Sequence, residues 1–192
     1  MKTMLSPAIL LMLLVLQQGA AIAAEKDAEE VASGAWVQSD NGDLAIRLLA
    51  KPSKVSTKES FSVTAQVRND RKSPVTILRP FGDAYYSEAV QIKLWSGKRR
   101  IAYSGPKYDY DLTADAFVTL APGEIATGTI QLSVDHFAGT DKPGNYTLRY
   151  DYAYDGAWDK TVALDGIKAP WLGHITTREI HVVKEEARKA TP

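Results

Sequence analysis

The chain contains no cysteine. That excludes a disulfide framework, a thiol nucleophile, a thiolate zinc site and a lipidated N-terminal cysteine. It carries no net charge, with 23 basic against 23 acidic residues, so it offers no excess of positive charge for binding nucleic acid. Only three histidines are present, His136, His174 and His181, and no two stand close in sequence. His-Glu-x-x-His, Gly-x-Ser-x-Gly, Gly-x-Gly-x-x-Gly and the phosphate-binding loop are all missing. No window holds a 3.6-residue apolar period, which removes the helical crossovers that a parallel α/β sheet requires.

Long hydrophobic runs are also scarce. Ala8 to Leu16 (AILLMLLVL) is the exception, and it is too short to cross a hydrocarbon core of ~30 Å. With Lys2 before it and the small-x-small triplet Ala21-Ile22-Ala23 after it, residues 1–23 read as a secretory signal peptide. The mature protein is then expected to be soluble, periplasmic or secreted, with no membrane contact after cleavage. Exported domains often rely on disulfides; this one must rely on its core.

The remainder of the 192 residues is ordinary globular material, 45% hydrophobic and 24% charged. Residues 24–42 are polar, then turn-like, and are expected to form a flexible leader with Trp36 as an anchor onto the body. Residues 43–184 alternate almost throughout. In Ser60 to Asn69, Phe61, Val63, Ala65 and Val67 point one way and Ser62, Thr64, Gln66 and Arg68 the other, the pattern of a half-buried strand. Tyr146, Leu148, Tyr150, Tyr152 and Tyr154 share one face of a long strand. Pro122-Gly123 and Pro143-Gly144 supply turns. Residues 185–192 form a charged tail. About eight or nine strands at this spacing predict an all-β fold, an immunoglobulin-like antiparallel sandwich. Lys, Arg and Pro are expected to protect its edges. Gly144-Asn145-Tyr146 matches a tyrosine corner, in which the hydroxyl bonds back to the preceding chain.

Several side chains invite a functional reading. Tyr108-Asp109-Tyr110-Asp111 is the densest acidic stretch, but Ala114 and Leu120 stand where an EF-hand loop needs Gly and Glu. Asp151, Asp155 and Asp159 form a second acidic patch among tyrosines, with the composition of a carboxylate dyad but nothing to place it. Lys98-Arg99-Arg100 is a basic run suited to a turn or to an acidic partner. Trp95 reads as core, whereas Trp158 and Trp171 read as an exposed aromatic patch. The expected working surface is therefore one loop end, 105–114 with 155–171, presenting Tyr108, Asp109, Tyr110, Asp111, Trp158 and Trp171. No catalytic, cofactor or metal residue is assigned.

Four stretches carry a resemblance. They are Val63 to Asn69 followed by Ser73 to Ile77, Leu120 to Glu124, Pro143 to Tyr150, and Trp171-x-Gly173-x-Ile175-x-Thr177 with Ile180 and Val182. In this order they resemble the propeptide domain that precedes the catalytic domain of deuterolysin-type (aspzincin) metallopeptidases, and also the intracellular-proteinase-inhibitor type of sandwich. The zinc-binding segment of such enzymes is missing. The resemblance therefore implies a relative of a propeptide and transfers no catalytic residue. The leading expectation is a non-catalytic exported binding module acting on a protein partner, a peptidase among the candidates. The alternatives are a peptidase inhibitor or trans-acting chaperone, a carbohydrate-binding module using Trp158 and Trp171, and a carbohydrate-active or metal-dependent hydrolase.

Overall fold

A computed structural model describes residues 31–55, 60–81, 92–105, 114–140, 142–156, 167 and 169–186. The expected signal peptide, the start of the expected leader, the Tyr108–Asp111 stretch, Trp158, Asp159 and the end of the expected tail lie outside them. The described strands in chain order are β1 (Ala32–Ser33), β2 (Val37–Gln38), β3 (Leu44–Lys51), β4 (Lys54–Val55), β5 (Ser60–Asn69), β6 (Val75–Leu78), β7 (Ile92–Ser96), β8 (Arg99–Ile101), β9 (Phe117–Leu120), β10 (Ile125–Ser133), β11 (Gly144–Tyr154), β12 (Gly173–Thr176) and β13 (Ile180–Lys184).

They form an all-β sandwich. One sheet runs β1-β3-β5-β10, with β2 also on β3; the other runs β4-β13-β11-β7-β8, with β12 also on β11; β6 and β9 pair as a separate ribbon. The pairing is antiparallel except between β13 and β4, which run parallel. The strand count exceeds expectation because short segments such as β1, β2 and β4 have too few residues to show a period. The last strand is also interrupted: β12 pairs with the C-terminal half of β11 and β13 with its N-terminal half. Thr177 fills the gap, donating its N–H to the Tyr150 carbonyl and accepting the Tyr150 N–H on its hydroxyl, both at 3.0 Å.

Alternation places the core as expected. Phe61, Val63, Ala65 and Val67 of β5 are buried, as are Leu44, Ile46, Leu48 and Ala50 of β3. From the opposite sheet come Leu94, Leu148, Ile180, Val182 and the tyrosines of β11. A buried tyrosine needs a partner for its hydroxyl, and each partner found here ties a connection to the sheet. Tyr146 donates to the Lys142 carbonyl at 2.8 Å, the tyrosine corner. Tyr152 donates to the Leu78 carbonyl at 2.6 Å, and the Tyr150 hydroxyl accepts the Phe81 N–H at 3.3 Å. Burial, with Tyr150 beside it, pushes the Tyr152 phenol well above its ordinary pKa, so it stays a donor at every physiological pH. Tyr146→Phe keeps the ring and removes one bond. It should lower unfolding free energy by about 1 kcal/mol, read from urea midpoints at constant slope.

One expectation about the ends is corrected. The leader does not extend to residue 42: β1 and β2 both pair with β3, and the compact unit begins at Val31. Trp36 adds to this hold, its ring lying 4.7 and 4.6 Å from the guanidinium carbons of Arg47 and Arg68 on the sheet's outer face. At the other end the last described strand stops at Lys184, and Glu185 just beyond it donates its N–H to the Val55 carbonyl at 2.8 Å. Just before it Lys184 is buried, its ammonium bonded to the Thr140 carbonyl and 3.4 Å from Asp135.

The anchor carries a pH dependence. Arg68 donates to Asp70 at 2.5 Å and Gln38 of β2 donates to it at 3.2 Å. The Arg68 bond, helped by Gln38 and opposed by partial burial, holds the Asp70 carboxyl below its ordinary range. The unfolded chain then binds this proton more readily, so the contribution is present above the ordinary Asp range near ~4 and lost as pH falls through the folded value. For a partly solvated pair it amounts to about 1 kcal/mol or less. Urea titrations at successive pH values should show a smaller acid loss in Asp70→Asn than in the parent.

Candidate functional site

Of the six residues expected at the working loop end, the structure describes Trp171 alone. Tyr108, Asp109, Tyr110, Asp111 and Trp158 lie outside the described residues. The expectation that Trp171 is exposed is corrected. It is 7% exposed and stacked on Tyr152, with ring centroids 5.9 Å apart and planes at 21°. Its ring crosses Gly173 so closely that a Cβ there would meet it at 2.5 Å.

Trp95 is the converse. It was expected in the core, yet it is half-buried on the outer face of the larger sheet. The alternation of β7 decides this, because Ile92 and Leu94 point inward and the next residue cannot. Around it the register gathers a cluster. Trp95 stands opposite Thr147 on β11 and Arg100 on β8; Lys93 stands opposite Arg149, and Asp151 opposite Thr176. The Arg149 guanidinium lies 5.0 Å from the Trp95 ring centroid and is paired with Glu179. Lys93 is paired with Asp151, which also accepts the Thr176 hydroxyl at 2.9 Å. His174 lies 4.0 Å from the same carboxylate, and Thr147 lies 3.3 Å from His181.

The electrostatics of this face lean positive. Burial first, then the charges of Arg100 and Arg149, holds the Lys93 ammonium below its ordinary pKa. Lys98 and Arg99 extend the positive side at the β7–β8 turn, where Gly97 takes the left-handed conformation (φ 56°) that lets the hairpin close. Asp151, Thr176 and His174 thus stand together, acid, hydroxyl and imidazole, on the outer face of the sheet. His136 belongs elsewhere, edge-on to Tyr103 at 6.1 Å. Among the described residues no three His, Asp or Glu side chains gather to hold a metal ion, and no helix is long and apolar enough to cross a membrane.

No protein-family model and no curated protein matches the chain. Among solved structures it is similar to a beta-glucosidase from Listeria innocua determined with laminaribiose, at 12% identity and TM-score 0.32, over 81% of this chain and 16% of that one. It is also similar to a candidate lipoprotein from Bacillus subtilis, at 17% identity and TM-score 0.32, over 75% of this chain and 38% of that one. The chain thus spans less than two thirds of either protein, and at that TM-score neither likeness bears on what it does.

Proposed function

We propose that this chain is an exported, non-catalytic binding module that acts through protein–protein contacts, with the outer face of β7, β11 and β13 as its contact surface. One observation carries the proposal: Arg149 lies over Trp95 in the middle of an open sheet face. Tryptophan and arginine are the side chains most enriched among the residues that dominate interface energy. Here each holds the other in place before a partner arrives, which lowers the entropy cost of docking. The surplus of Lys93, Arg100 and Arg149 over Asp151 and Glu179 selects a partner with an acidic surface and speeds its approach. A peptidase fits that description as well as any envelope protein.

The test is affinity capture from the envelope and secreted fractions of the producing organism, with parent and Trp95→Ala/Arg149→Ala chains as bait. A partner enriched by the parent and lost with the double variant, both chains melting alike, supports the surface. Capture that survives that variant and disappears with Tyr108→Ala/Trp158→Ala moves the contact to the loop end. A captured peptidase whose activity falls when the bait is added makes the module an inhibitor. Capture indifferent to both variants overturns the proposal.

A further inference from the structure

Among the described residues β10 is the last strand of its sheet and pairs with β5 alone. It is nine residues long, Ile125 to Ser133, and holds no charged residue and no proline in a chain that is 24% charged. The expectation of edges protected by Lys, Arg and Pro is therefore corrected here. The opposite limit of this sheet is β1, only two residues long, and β8 on the other sheet carries Arg99 and Arg100. A long, neutral edge exposes a row of backbone N–H and C=O groups ready to pair.

The side chains indicate with what. Across the outer face, hydrogen-bonded rows run toward this edge and stop there. Arg47 donates to Gln66 at 2.7 Å and Gln66 to Thr127 at 3.5 Å; Thr64 and Thr129 are 2.9 Å apart; Gln131 donates to Ser62 at 2.6 Å. Thr127, Thr129 and Gln131 are exposed, and Ile125 is 42% exposed.

We infer that β10 is a self-pairing edge, and that two copies of this chain join antiparallel through it into one continuous sheet with the two-fold axis at Thr129. In that register Thr129 faces Thr129 of the second copy, and Thr127 faces its Gln131. Each then meets the residue type it already meets on β5, Thr on Thr64 and Gln on Gln66. On the inward side Ala126 faces Leu132 and Gly128 faces Ile130, apolar against apolar. A charged strand would repel its own copy across such an axis; this strand has no charge to do so. The inference is independent of the face around Trp95, and Arg149→Ala should leave the mass unchanged.

Sedimentation equilibrium of the full chain over a wide concentration range tests it. The expected result is a reversible dimer. Thr129→Lys sets two ammonium groups together at the axis and should raise the dimer Kd about 100-fold or more. Thr129→Glu should do the same, and mixing the two variants should restore the dimer. Thermal melting of each variant checks that the monomer is folded; Thr127→Lys, nearer the end of the strand, repeats the test if Thr129→Lys fails it. A parent that is monomeric throughout, a dimer that survives the folded Lys variants, or a monomeric parent that takes up an added extended peptide overturns the inference.

Discussion

Gly128→Ala should destabilise the protein by about 3 kcal/mol, the largest effect expected from adding one methyl group. Gly128 lies on the inward side of β10, opposite Ala65 of β5. A Cβ built there would stand 1.8 Å from the Pro80 carbonyl oxygen and 2.7 Å from its carbon. Neither atom belongs to a side chain that can turn away. Pro80 must move, and it is bonded to Phe81, whose 3% exposed ring sits 4.7 Å from that of Tyr150. Phe81 already holds a left-handed φ of 62°, a conformation a phenylalanine keeps only where burial enforces it. Shifting Pro80 therefore loosens a buried aromatic contact and the Phe81 N–H bond to Tyr150 together. Gly123→Ala is the control. Its φ of +78° makes alanine unfavourable, but nothing lies within 4 Å, so the cost should stay near 1 kcal/mol. Urea unfolding of both variants reads the difference. Equal losses would mean that the approach of Pro80 contributes nothing.

Asn69→Ala should cost about as much, for an electrostatic reason. Asn69 ends β5, is fully buried, and joins two turns. Its amide donates to the Ser73 and Leu120 carbonyls, each at 3.0 Å, and its side-chain oxygen accepts the Arg71 N–H at 2.9 Å. Its main chain adds Gly123 N–H to the Asn69 carbonyl at 2.8 Å and Asn69 N–H to the Glu124 carbonyl at 3.0 Å. Alanine leaves the main-chain bonds but strands two carbonyls and one N–H, with a desolvation cost of about 1 kcal/mol or more for each one that stays dry. The expected loss is about 3 kcal/mol. Asn69→Asp should be worse at neutral pH, because a carboxylate there would face two carbonyl oxygens. Its folded pKa would be raised, the native state would bind the proton more tightly, and stability would recover as pH falls. A pH-independent Asn69→Asp defect would contradict this hydrogen-bond assignment.

Sequence alone was enough for those features that depend on near neighbours. Period-two alternation put Phe61 to Val67 and Tyr146 to Tyr154 on buried faces, because strand geometry fixes the side of each side chain without reference to its partner. Pro122-Gly123 and the bond from Tyr146 to Lys142 are local for the same reason, closing within a few residues. The same rule, applied to its last residue, would have turned Asn69 inward with Val67 and Trp95 outward from Leu94. For Trp95 parity outweighs the apolar character of the residue, which by itself points to the core.

The tertiary structure decided everything that rests on which strands become neighbours. Asn69 meets Leu120 across 51 residues of sequence, and Tyr152 meets Leu78 across 74. Trp171 became core because Tyr152 and Gly173 offer its ring a flat bed, and Lys184 is buried because Thr140 supplies an acceptor from another part of the chain. The Trp95–Arg149 face exists only once β7 pairs with β11, and the neutral edge only once β10 is left outermost among the described strands. A strand's amino acids state which side faces inward. Which strand lies beside it is set by backbone hydrogen bonds between distant segments, and these leave no periodic trace in the sequence.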